Sequence, residues 1–73
     1  MDVTEKLLKR YETNIVETIG KIAQTNNTVE LVRLAHLLET MTFVYNDLSI
    51  IKNVGGKIIV PEEALGKLNL AAD

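Results

Sequence analysis

The chain has no cysteine and no tryptophan, and only one proline and one histidine among 73 residues. Without cysteine, disulfides and thiolate metal sites are excluded. A chain this short buries a modest share of its unfolded surface, and small domains are usually reinforced by disulfides, a metal or oligomerisation. Oligomerisation is the reinforcement left. The missing thiols also fit an intracellular protein, and the expected location is cytoplasmic. Aromatic residues are limited to Tyr11, Phe43 and Tyr45, so the core must be aliphatic. Long apolar runs are missing too, which argues against a bilayer span. Asp2 and Glu5 stand where a secretory signal would need a basic and then an apolar stretch. A net charge of -2 and a pI near 5.3 argue against a dedicated nucleic-acid binder. What is present is 47% apolar residues, the composition of one globular domain, without internal repeats or low-complexity segments.

Two long amphipathic segments fill the first two-thirds of the chain. Residues 2–25 predict a helix that starts at Asp2-Val3-Thr4-Glu5, with an acidic cap. On an ideal wheel Leu8, Tyr11, Ile15, Val16, Ile19, Ile22 and Ala23 fall within an arc of about 140°. Glu12 interrupts that arc, and Glu5/Lys9 and Glu17/Lys21 are spaced i,i+4 in the favourable order. Thr25-Asn26-Asn27-Thr28 is a polar interruption in which Asn27 and Glu30 have the spacing of a capping box. So short a connection makes the two helices antiparallel neighbours. Residues 28–53 predict the second helix. There Leu31, Leu34, Ala35, Leu37, Leu38, Met41, Val44, Tyr45 and Leu48 span about 180°, wider than the stripe of about 100° that one partner covers. Val32, Phe43 and Ile50 form a further line at the edge of the polar face.

The C-terminal part begins with Gly55-Gly56, a left-handed helix stop. Residues 57–60, Lys57-Ile58-Ile59-Val60, are β-branched and extended, and Pro61 holds Val60 out of the helical region. Residues 61–68 predict a short helix with proline at its first position and acids at the positive end of its dipole. Ala71-Ala72-Asp73 is expected to fray. The stretch GGKIIVPEEALGKLNL resembles the glycine–basic–β-branched–proline–helix segment of AbrB-type swapped-hairpin transcription factors. The resemblance covers 16 of 73 residues. Further strands and DNA-contacting arginines, which it would imply, have no counterpart beyond Lys57 and Lys67, and it does not identify a family.

Candidate chemistry is sparse. His36 and Glu39 form an i,i+3 pair that lacks convergent partners, which fits a solvated surface histidine rather than a metal site. Ser49 has no base placed to activate it. No catalytic, cofactor-binding or metal-ligating set emerges, so the protein is expected not to be an enzyme, to carry no cofactor and to act on no small-molecule substrate. The expected fold is all-α: an antiparallel helical hairpin with a short extended segment and a C-terminal helical turn, paired with a second copy as a four-helix bundle. Leu34, Leu37, Leu38, Met41, Val44, Tyr45 and Leu48 are the expected dimer core. The Ile58–Val60 segments could pair across such a dimer. Val32, Phe43 and Ile50 admit two readings: a docking stripe for another protein, or the place where the Ile58–Val60 segment and Leu65/Leu68, of the same chain or of a dimer mate, fold back. The expected function is a non-enzymatic protein–protein interaction module, a small regulator or a subunit of a larger assembly. The alternative is a small dimeric DNA-binding regulator that uses Lys6, Lys9, Arg10 and Lys57, with binding that salt would weaken steeply.

Overall fold

The computed structural model describes residues 1–70; the expected fraying of Ala71-Ala72-Asp73 lies outside them. Helix α1 runs Thr4–Gln24 and helix α2 runs Thr28–Asn53. The two pack as an antiparallel hairpin. A 3-10 helix, Glu62–Ala64, follows, and the described residues contain no strand beyond one antiparallel bridge between Asp2 and Ile59.

The turn between the helices is held by its polar residues. The Asn27 side chain accepts from the Glu30 backbone N–H at 3.0 Å, a cap worth about 1 kcal/mol. At the far end of α2, Gly55 takes a left-handed φ of 78°. Its N–H donates to Lys52 O at 3.0 Å, and that of Gly56 donates to Ile51 O at 2.8 Å. This pair of bonds is a Schellman closure, which satisfies carbonyls that the helix end would otherwise leave open. Gly56 also has to be glycine on packing grounds, because a Cβ there would lie 2.9 Å from the Ile51 side chain.

The helix–helix seam follows a 3-4 alternation. On α1 the buried and half-buried positions include Thr4, Leu8, Tyr11, Ile15, Thr18 and Ile22, with Lys6, Leu7, Arg10 and Asn14 partly covered to one side; on α2 they include Leu34, Leu38, Met41, Tyr45 and Leu48. Such spacing is that of left-handed helix pairs with knobs-into-holes packing. The face that α1 turns to its partner is therefore rotated away from the centre of its apolar arc. Thr18, 5% exposed, lies in the seam, while Val16 is 65% and Ile19 51% exposed. A threonine can occupy the seam because its hydroxyl donates to the Asn14 carbonyl at 2.8 Å, one turn back, and leaves no polar atom unsatisfied.

A second, smaller core joins the chain's two ends. Val3, Leu65 and Leu70 are buried together, with Leu7, Ile58 and Val60 packed against them. The tail docks in cis against the start of α1, so the extended residues 57–60 pair with the chain's own N-terminus. Val3 N–H donates to Ile58 O at 2.9 Å, and Val60 N–H donates to Met1 O at 3.0 Å. The terminal ammonium of Met1 donates to Val60 O at 2.6 Å. Helix α1 begins at Thr4, and the Asp2 carboxylate does accept from its first N–H, Thr4 N–H, at 3.0 Å, and from Thr4 Oγ1–H at 2.7 Å, although Val3 holds the N-cap position. The helix thus starts two residues later than the expected range 2–25. Thr4 Oγ1 in turn accepts from Ile58 N–H at 2.9 Å, tying arm, helix and tail at one hydroxyl.

The helix expected over 61–68 contracts to one 3-10 turn plus a second left-handed closure. Asn69 has φ 61°, its N–H donates to Gly66 O, and the Leu70 N–H donates to Leu65 O at 2.9 Å. Asparagine is the non-glycine residue best suited to that conformation. The closure brings Leu65 and Leu70 side by side, as such motifs commonly do, and both enter the small core.

Candidate functional site

Val32, Phe43 and Ile50 lie on α2 within about 20° of one another, about 140–180° from Met41 and Leu48 at 100° per residue. They are 64%, 65% and 53% exposed. Since Met41 and Leu48 are the buried residues of α2, the line points away from α1. Val29 and Val54, 70% and 78% exposed, flank it. The tail does not fold back here; its apolar residues land on Val3 and Leu7 at the other helix. Of the two readings of this line, covering by the chain's own tail does not occur.

The residues expected to form a dimer core divide within the single chain. Met41 and Leu48 are buried, and Leu34, Leu38, Val44 and Tyr45 are half-buried. Leu37 is 47% exposed, and so stays available for a contact outside the hairpin.

Of the four basic residues considered for nucleic acid, Lys6, Lys9 and Arg10 line one surface groove, and Lys57 does not line it. Arg10 reaches across to the tail, where its guanidinium donates to the Asn69 carbonyl. Lys57 sits in the extended segment, close enough to act electrostatically on Asp2. The acids Glu5 and Glu12 line the same groove as Lys6, Lys9 and Arg10. On that side Lys52 Nζ lies 2.6 Å from Glu5 Oε1, and this bond and the charge of Glu5 raise the lysine's pKa above its ordinary value. Both side chains are largely exposed, so the pair adds little to stability.

His36 is exposed, and the hydroxyl of Thr40 donates to its backbone carbonyl rather than to its ring. Among the described residues no three histidine, cysteine or acidic side chains converge as metal ligands. None of the described helices is long and apolar enough to cross a membrane.

The two capping bonds from Thr4 hold the Asp2 carboxyl below the ordinary carboxylate range, with the charges of Lys57 and the N-terminus acting the same way. A carboxyl with a depressed folded-state pKa stabilises above its unfolded pKa and ceases to do so as pH falls through its folded value. Acidification below the usual aspartate range is therefore expected to loosen the arm–tail clasp before the hairpin. The Thr4 and Ile58 amide resonances, followed by NMR through an acid titration, should lose protection with Asp2. In Asp2→Asn that titration step should vanish; its persistence would assign the effect to another acid.

Comparison of the chain with protein-family models, with curated proteins and with solved structures returned no match.

Proposed function

We propose that this chain is a non-enzymatic protein–protein interaction module, a small regulator or a subunit of a larger assembly, which works through apolar helix faces. Pairing with a second copy as a four-helix bundle is part of the proposal. The observation that carries it is the Val32/Phe43/Ile50 line: three large apolar side chains, each more than half exposed, aligned on the side of α2 that neither α1 nor the tail covers. Single exposed apolar residues are ordinary on any surface, whereas three aligned on one side of a helix support docking, here with His36, Glu39 and Asp47 between them.

Alanine at all three positions tests the reading. Surface replacements outside packed regions change stability by about 0.5 kcal/mol or less. The triple variant should keep the helical circular dichroism and the melting midpoint of the parent, and lose association with the protein partner that the parent retains. Loss of helix in that variant would make the line internal packing and remove this surface from the proposal.

A further inference from the structure

The hairpin has two broad faces, and they differ. On one, a shallow groove runs from Lys21 of α1 to Arg33, Leu34 and Leu37 of α2. Leu7 lies on this side of α1, and the tail covers the face at the helix ends. On the other face, Leu8 and Glu12 border a groove with Tyr45 and Lys52, and no tail residue lines it. At about 100° per residue, Ile19 and Ala23 project on the Glu12 side of α1, with Val16 just beyond them, while Leu31, Ala35 and Leu38 project on the Tyr45 side of α2. This open face is therefore apolar over the half nearest the connecting turn. Val16, Ile19 and Leu31 are 65%, 51% and 40% exposed.

We infer that a second copy of this chain docks on the open face, with Val16, Ile19, Ala23, Leu31, Ala35 and Leu38 at the centre of the contact. The inference rests on the self-pairing proposed above and assigns the surface that does it. Three quantities point to a second copy. The chain exposes 5475 Å², whereas a folded monomer of its mass exposes about 4,500 Å². The excess, about 1,000 Å², is close to the 800 Å² or so that each partner contributes to a stable interface. The radius of gyration is 14.3 Å, against about 11 Å for a compact chain of this length. The smallest extent is 15 Å, against 27 and 41 Å along the other two axes, so the molecule is flat. Domains are built of at least two packed layers, and the helices form only one. A symmetric mate placed face to face supplies the second layer and completes four helices without any other component. A net charge of -2 per chain opposes this only weakly. The pairing leaves Val32, Phe43 and Ile50 pointing outward, free for a different protein.

The absence of cysteine makes the test direct, since a single introduced thiol is the only one present. In a two-fold contact, residues near its centre approach their own copies. Ile19→Cys or Ala35→Cys should give a covalent dimer under mild oxidation. Leu37→Cys on the tail side and Phe43→Cys on the outer line should stay monomeric on a denaturing gel. Light scattering on the unmodified chain should read twice 8.1 kDa and hold through dilution in the micromolar range. A reading of 8.1 kDa at every concentration would overturn self-pairing and leave the interaction module with a different partner. A solution dimer that cross-links through Leu37→Cys or Phe43→Cys, or through none of the four, would overturn this face while leaving the dimer.

Discussion

Leu65→Ala is expected to release the C-terminal tail while both helices stay folded. Leu65 is 7% exposed and fills the small core with Val3 and Leu70. A buried leucine-to-alanine change costs about 2–5 kcal/mol. The tail has little margin to absorb such a loss. Its apolar burial rests on three buried side chains and three partly buried ones, and its backbone is tied to the rest of the chain through hydrogen bonds to Met1, Val3 and Thr4. Leu65 is one of the three buried side chains, so its removal takes away a large part of what holds the tail. Hydrogen exchange at the Val3 and Val60 amides should accelerate by at least tenfold, and trypsin should cut at Lys57 and Lys67, with the helical circular dichroism nearly unchanged. Leu68→Ala, in the same segment but 44% exposed, serves as the control and should change exchange little. Cooperative loss of both helices in Leu65→Ala would show instead that tail and hairpin form one unit.

What the sequence discloses follows from the range of each interaction. The bounds of α2 were legible because they are local: Asn27 three residues before Glu30 at one end, Gly55-Gly56 at the other. The outward line of Val32, Phe43 and Ile50 was legible for the same reason, since helical period alone places the three together. The face that α1 turns to its partner was not. Counting apolar residues puts Val16 and Ile19 in the contact and leaves out Thr4 and Thr18, whereas the seam takes both threonines. The spacing 4, 8, 11, 15, 18, 22 carried that signal, but only once a threonine bonded to its own helix is counted as a seam residue. The landing place of the tail was hidden for a different reason. It depends on Val3 meeting Ile58 and on one hydroxyl, that of Thr4, bridging across 54 residues, and no periodicity encodes a pairing at that range. Asn69 could have been singled out as a left-handed stop with leucines on either side. Without the tail's position, the open face could not be told from the covered one.

Leu48→Ala should have the opposite outcome to Leu65→Ala: both helices should melt together. Leu48 is 6% exposed and, with Met41, is one of the two buried residues that α2 turns toward α1. Most helical stability in proteins comes from packing of an apolar face rather than from helix propensity, so α1 and α2 depend on the seam between them. A domain of 73 residues has a total stability of about 4–11 kcal/mol, and the cavity left by Leu48 should remove about 2–5 kcal/mol of it. The expected result is a fall of well over 10 °C in the thermal midpoint, read by circular dichroism at 222 nm, with the Tyr45 environment lost in the same transition. Leu37→Ala removes the same atoms from the same helix but starts 47% exposed, so its cost should be no more than about 1 kcal/mol. If the chain self-pairs, both midpoints rise with protein concentration, because association stabilises the folded state by mass action. The comparison must therefore be made at matched concentrations. Equal midpoints for Leu48→Ala and Leu37→Ala at one concentration would mean that the seam does not hold the hairpin together, and that its helices are ordered by contacts outside the single chain.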